Sequence, residues 1–307
     1  MKYNKLGTSD IEVSEFTLGC WPFAGGNVWG DQDDADSIAA VHASLDAGIN
    51  FFDTAEGYGA GKSEEVLGKA LKGRRDQAVI VTKVGDSHLS PDDVRNSCER
   101  SLSRMGTDYI DLYQVHRPDA NTPFEETMRA LDDLVTSGKV RYIGCSNYTA
   151  WQMVEAFWTA KSQNLYNYCC VQPEYSLVIR DVEKELVPAA ERYGMSLIPF
   201  FPLASGFLTG KYTQGEEPPE GSRFAGSPNM GNKYFNDDNW SLLGKLQSFA
   251  GERGHSVSEL AFAWLLGSPV VPSVIAGATK PEQVTANAQA AGWQLSSEEM
   301  AEIREML

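Results

Sequence analysis

At 307 residues the chain is longer than a typical domain but within the range of one barrel of alternating strands and helices, so core size sets no limit. Its 26 basic and 42 acidic side chains leave a formal charge of -16, a field that repels nucleic acid and anionic lipid, so any phosphate must be held by local geometry. No apolar run approaches the roughly 18 residues that span a bilayer, and Met1-Lys2-Tyr3-Asn4-Lys5 lacks a signal-peptide core. The expectations are therefore no membrane partner, no nucleic-acid partner and a cytoplasmic location.

Five cysteines (Cys20, Cys98, Cys145, Cys169 and Cys170) form no CxxC pair and leave an odd count, which predicts buried, reduced thiols rather than a disulfide framework. Four scattered histidines with no HxxH or HxxxH spacing predict no metal site.

In chain order, a polar alternation over 2–13 around Gly7-Thr8-Ser9-Asp10 predicts a hairpin. Short β-rich apolar runs follow at 16–20, 49–53, 78–83, 110–116, 140–145, 169–172, 196–200 and 273–276. Between them lie helical stretches near 33–47, 63–72, 91–105, 123–137, 149–160, 181–193, 256–266 and 281–290. Ser90-Pro91 and Thr122-Pro123 each set a capping hydroxyl before a proline in the first turn. Two further helices, 239–252 and 297–306, are surplus to the alternation. Eight strand and helix pairs predict an α/β fold, a (β/α)8 TIM barrel with an N-terminal β-hairpin and two extra helices, over 1–307 as a single domain. A doubly wound sheet is the alternative, but no GxGxxG string follows the first run. Residues 201–238 show little periodicity, which in a compact domain suggests a loop that covers a ligand.

In a parallel barrel the active site gathers at the carboxyl ends of the strands. Those ends carry Asp53, Lys83, His116, Ser146-Asn147, Gln172 and the pair Phe200-Phe201, with Tyr58 five residues beyond Asp53. Each has a plainer use: Asp53 can bond a turn, Lys83 can reach solvent from the lip, and His116 can satisfy a loop carbonyl. Their convergence on one rim suggests chemistry instead, because buried Lys and Asp are stable mainly as a pair. A tyrosine with a reference pKa of about 10 needs a neighbouring cation to become a useful proton donor, and Lys83 can be that cation. Asp53 would hold the ammonium, and His116 would orient a substrate oxygen. The hydride would have to come from a cofactor.

The motifs that carry these residues resemble the aldo-keto reductases. They are residues 46–59 (DAGINFFDTAEGYG), 63–68 (SEEVLG), 81–83 (VTK), 108–116 (DYIDLYQVH), 138–147 (GKVRYIGCSN) and 171–175 (VQPEY). The resemblance implies reduction of an aldehyde or ketone by NADPH, with Asp53, Tyr58, Lys83 and His116 as the catalytic tetrad. It implies Ser146, Asn147 and Gln172 on the nicotinamide carboxamide and Phe200 stacked on the ring. Pro202, Leu203, Ser205, Gly206, Leu208, Gly210 and Lys211 fall in the segment that straps the pyrophosphate. Gly277, Thr279, Lys280, Gln283 and Asn287 fall at the adenosine end, with Lys280 toward the 2′-phosphate. Some relatives have Lys where Gly277 stands and Arg where Gln283 stands, which leaves NAD as an alternative cofactor. Trp21, Phe23 and Trp29, with Tyr58 and His116, are the expected substrate walls. A Schiff-base lyase using Lys83 and a nucleotide-sensing regulatory protein are the competing readings. Neither the particular carbonyl compound nor the oligomeric state is set by the sequence.

Overall fold

Strands that read as short apolar runs have no wet face, so a parallel sheet built from them must be covered by helices on one side and closed on the other. The chain does this in a computed structural model that describes residues 1–85, 88–290 and 292–307. A two-stranded antiparallel hairpin, β1 (Tyr3–Lys5) and β2 (Glu12–Ser14), comes first. Then follow β3 (Phe16–Gly19), β4 (Phe51–Asp53), β5 (Val79–Val84), β6 (Ile110–Val115), β7 (Val140–Ser146), β8 (Tyr168–Gln172), β9 (Ser196–Leu197) and β10 (Val274–Gly277). These eight pair in parallel in the order β10-β3-β4-β5-β6-β7-β8-β9. The ring is completed where the Ile275 amide donates to the Pro199 carbonyl at 2.9 Å and Phe200 bridges Ile275.

The crossover helices fall close to the expected stretches: Asp34–Asp46, Lys62–Ala70, Pro91–Met105, Phe124–Thr136, Ala150–Ser162, Leu186–Tyr193, Val257–Leu266 and Pro281–Ala290. Ser90 caps its helix through the Asp93 amide, as its place before Pro91 suggests, while Thr149, Ser256 and Ser296 each build a reciprocal capping box. The extra helices are Asp237–Glu252 and Ser297–Met306. Two elements differ most from the expectation. The helix expected over 181–193 becomes a 3-10 turn at Asp181–Glu183 and a helix from Leu186, since Pro188 fits only in a first turn. The strand expected over 196–200 stops at Leu197 because Pro199 has no amide to give and Phe201 turns left-handed at φ 54°.

One apolar cluster lies between the strands and the outer helices, and a second fills the barrel. In the second, Leu6, Ile11 and Val13 of the hairpin pack with Phe51, Val81, Leu112 and Ile275, so the hairpin plugs the floor. Its turn needs glycine: Gly7 sits at φ +53°, and a Cβ there would fall 2.0 Å from the Cys169 carbonyl oxygen. Gly7→Ala is therefore expected to cost at least about 2 kcal/mol from overpacking and backbone strain together. Gly73→Ala, at φ +79° with nothing within 4 Å, isolates the backbone part. Equal losses in denaturant titrations of the two variants would show that the hairpin seat is not tight.

Candidate active site

The ladder itself delivers the polar side chains. Asp53 ends β4, Lys83 lies one residue from the end of β5, and His116 follows β6, its amide donating to the Val84 carbonyl at 3.0 Å. Lys83 is 0 % exposed, and its Nζ donates to Asp53 Oδ1 at 2.8 Å, to the Thr54 carbonyl at 2.8 Å and to the Tyr58 hydroxyl at 3.4 Å. Three donors meet three acceptors, which is what a buried ammonium requires. The Tyr58 loop is pinned where the Tyr58 amide donates to the Ala55 carbonyl at 3.1 Å, and where Ser63 Oγ donates to the Cys20 carbonyl at 2.7 Å. Trp21 stacks on the Tyr58 ring at 5.8 Å, and His116 meets that ring edge-on at 5.8 Å.

Charge states follow from this packing. Burial alone would lower the Lys83 pKa, but Asp53 and the Tyr58 hydroxyl outweigh it and raise it, so the ammonium stays protonated. Burial raises the Tyr58 pKa; Lys83 pulls it down and Asp53 pushes it up, with a net rise. The sequence suggested a phenol made more acidic by Lys83, and here desolvation wins over that pull. Burial, then Lys83 and Arg117, push His116 down to about 3, so its imidazole is neutral near pH 7.

Beside this group lie three side chains whose donors are spent internally. Gln172 Nε2 donates to Asp53 Oδ2 at 2.8 Å and to Gln114 Oε1 at 3.1 Å. Asn147 Nδ2 donates to the His116 carbonyl at 2.9 Å and to Ser146 Oγ at 3.0 Å, while Ser146 Oγ donates to the Gln172 carbonyl at 2.9 Å. The amide oxygens of Gln172 and Asn147 are what this cluster has left to offer, and both residues line the cleft. Two acceptors side by side suit a ligand amide with two N–H groups.

The cleft holds about 1160 Å³ and runs from Trp21, Trp29 and Tyr58 past Phe200 to Gly277, Gln283 and Asn287. The Aldo/keto reductase family model matches residues 15–307. The chain belongs to the aldo/keto reductase family. It is similar to a probable voltage-gated potassium channel subunit beta of Oryza sativa subsp. japonica, with 39% identity over 94% of this chain and 91% of the relative. It is also similar to an NADH-specific methylglyoxal reductase of Escherichia coli (strain K12), with 34% identity over 100% of this chain and 98% of the relative. Among solved structures it resembles the glycerol dehydrogenase AKR11B4 from Gluconobacter oxydans, with a TM-score of 0.85, 32% identity, and cover of 99% of this chain and 94% of that one. This aldo/keto reductase is an NAD(P)H-dependent oxidoreductase with the (β/α)8 fold.

Most residues expected to meet a cofactor do line the reductase cleft: Ser146, Asn147, Gln172, Phe200, Pro202, Leu203, Ser205, Gly206, Lys211, Gly277, Thr279, Gln283 and Asn287. Leu208, Gly210 and Lys280 do not. Leu208 is wholly buried in the core, Gly210 ends a 3-10 turn against Gln247, and Lys280 points to solvent at the start of the last crossover helix. Gln283 is committed locally, its Oε1 accepting from the Thr279 amide at 2.7 Å. Trp21 and Trp29 line the cleft, whereas Phe23 is core packing, 2 % exposed and off the cleft.

Two residues around the cleft, Arg223 and Gln114, escaped the sequence reading. Arg223 lies over the Trp29 ring at 4.0 Å and the Phe201 ring at 5.5 Å, and burial lowers it to about 10. Phe201 itself tilts against Trp21 at 6.1 Å. Gln114 sits fully buried beneath Gln172. The serine–arginine pair at 222–223 inside an aperiodic, acidic stretch was the available signal for the first. An amide between Tyr113 and Val115 in the buried run of β6 was the signal for the last.

His116 also makes a stability statement. Its folded pKa of about 3 lies below the ordinary 6.5, so the unfolded chain binds the extra proton. The stabilisation is full above about pH 6.5 and is lost as pH falls from there toward 3. His116→Asn should show a flatter decline in urea-measured stability between pH 6.5 and 4 than the unaltered chain. Parallel declines would contradict the neutral imidazole.

Proposed function

We propose that this reductase converts an aldehyde or ketone to an alcohol with NADPH as the preferred reductant and NADH as a weaker alternative. The observation that carries the reading is the buried Lys83 ammonium, held between Asp53 and the Tyr58 hydroxyl at the mouth of the cleft. The reduced nicotinamide supplies the hydride when bound. Tyr58, protonated near neutral pH, gives its proton to the substrate oxygen, and Lys83 stabilises the phenolate left behind. Asp53 keeps the ammonium charged and in place. Neutral His116 offers a hydrogen bond that orients the carbonyl without competing as an acid. Trp21 and Trp29 form an apolar wall for the remainder of the substrate. Alcohol oxidation is the same path reversed.

The residues fit a nicotinamide dinucleotide. The oxygens of Gln172 and Asn147 would take the carboxamide N–H groups, and Phe200 would cover the ring. Gly206 stands at φ +104°, and a Cβ there would meet Lys211 Nζ at 3.5 Å, so a bare backbone leaves the amine room on the cleft wall. Lys211 and Arg223, which both line the cleft, would hold phosphate against an acidic surface. Residues 201–238 cover that end of the cleft, in one domain that spans 1–307. Lys280 is an exposed cation at the start of the helix that carries Gln283 and Asn287, while Gly277 and Gln283 are neutral, which supports only a modest NADP preference. The raised Lys83 pKa weighs against a Schiff-base role, which needs the free amine. A regulatory role draws support from relatives named as potassium channel beta subunits, the rice protein among them.

Fluorescence titration should give tighter binding of NADPH than of NADH, and absorbance loss at the nicotinamide band should report turnover across a panel of aldehydes and ketones. Tyr58→Phe should lower kcat by about 10²–10⁴-fold while NADPH still binds. A fully active Tyr58→Phe variant would remove Tyr58 as the acid. Tight NADPH binding with negligible turnover on every carbonyl would select the sensing role.

A further inference from the structure

Below the tetrad, the barrel holds a polar chain that its own chemistry leaves unexplained. From Lys83 it passes to Asp53, to Gln172, to Gln114 and finally to the thiol of Cys170, which Gln114 Nε2 approaches at 3.5 Å. All of these side chains are buried. Space for the last step comes from Gly144: a Cβ there would fall 2.8 Å from Cys170 Sγ and 3.3 Å from Gln114 Cγ. An unbranched apolar residue would fill the Gln114 position at less desolvation cost, so the amide calls for a reason.

We infer that Gln114 is a positioning residue that fixes the amide of Gln172 so that its oxygen, not its nitrogen, faces the cleft. This rests on the proposed nicotinamide cofactor. An amide presents one acceptor and two hydrogens, and a carboxylate can only accept. Asp53 takes one hydrogen of Gln172, but a single bond leaves the amide free to twist about its terminal torsion. Gln114 Oε1 takes the second hydrogen from a different direction, and the two bonds define the amide plane. Cys170 holds the Gln114 amide in turn, occupying its nitrogen and keeping its oxygen toward Gln172. The oxygen of Gln172 is thereby offered to an N–H donor in the cleft, and a ligand that lacks the donor gains nothing from it.

The test compares two dinucleotides, NADP and its 3-acetylpyridine analogue, in which a methyl group replaces the carboxamide NH2. The unaltered chain should bind NADP about tenfold more tightly than the analogue, the worth of one or two hydrogen bonds. In Gln114→Met the preference should shrink to about threefold or less, through loss of NADP affinity with little change for the analogue. Gln114→Leu, a second apolar replacement, guards against a folding defect, with thermal melting as the check. A general loosening of the barrel would weaken both dinucleotides alike, so equal losses in a folded variant would overturn the role, as would an undiminished preference. Failure of the unaltered chain to bind either dinucleotide would instead overturn the proposed cofactor, and this role with it.

Discussion

A lysine ammonium with no exposure to water is costly, and most of this site can be understood as the set of groups that make it tolerable. Nζ is met by a carboxylate, a backbone carbonyl and a phenol, so every proton has an acceptor. Each of those acceptors must then be held still. Asp53 is fixed by its place in β4 and by the Gln172 amide, Thr54 by its own amide, which donates to the Val81 carbonyl of β5 at 2.9 Å, and Tyr58 by the turn that begins at Ala55. Losing Asp53 would leave an uncompensated charge in the barrel, so electrostatics tie together residues contributed by β4, β5, β8 and a loop.

The same packing separates the proton roles. Burial moves the two rings in opposite functional directions: it keeps the phenol protonated, and it keeps the imidazole uncharged, with Lys83 adding to the second effect. Two titratable rings 5.8 Å apart thus end as a protonated phenol and an uncharged imidazole.

Much of the fold was legible because periodicity speaks clearly where strands and helices are regular. The meeting of Asp53, Lys83 and His116 was legible because they sit at or beside strand ends, where register is fixed by the ladder. Two kinds of information were not. One is the compactness of residues 201–238, which carry no helical or strand period yet build their own aromatic core: Phe207 meets Phe235 at 5.9 Å, and Tyr212 meets Phe224 at 4.8 Å. Irregular spacing hides such a cluster, and with it Arg223. The other is hydrogen-bond direction. Sequence places Ser146, Asn147 and Gln172 together, but only coordinates show that their donors are consumed among themselves and that acceptors remain. The sign of the Tyr58 shift was missed for a related reason, since desolvation is a property of the packed state.

The broken seventh strand has a consequence of its own. Elsewhere around the ring neighbouring strands pair in register ladders, with one shift at Ile143–Gly144, but among the described residues β9 and β10 share no ladder and the join there is the Ile275 to Pro199 hydrogen bond, the Phe200 bridge and the Leu197 amide donating to the Val270 carbonyl. A split ring parts at its gap. Mechanical compliance in this barrel is therefore concentrated at one seam, which lies against Phe200 and the start of the 201–238 segment. The charged pair under Tyr58 sits among fully laddered strands, so that region can yield without disturbing it.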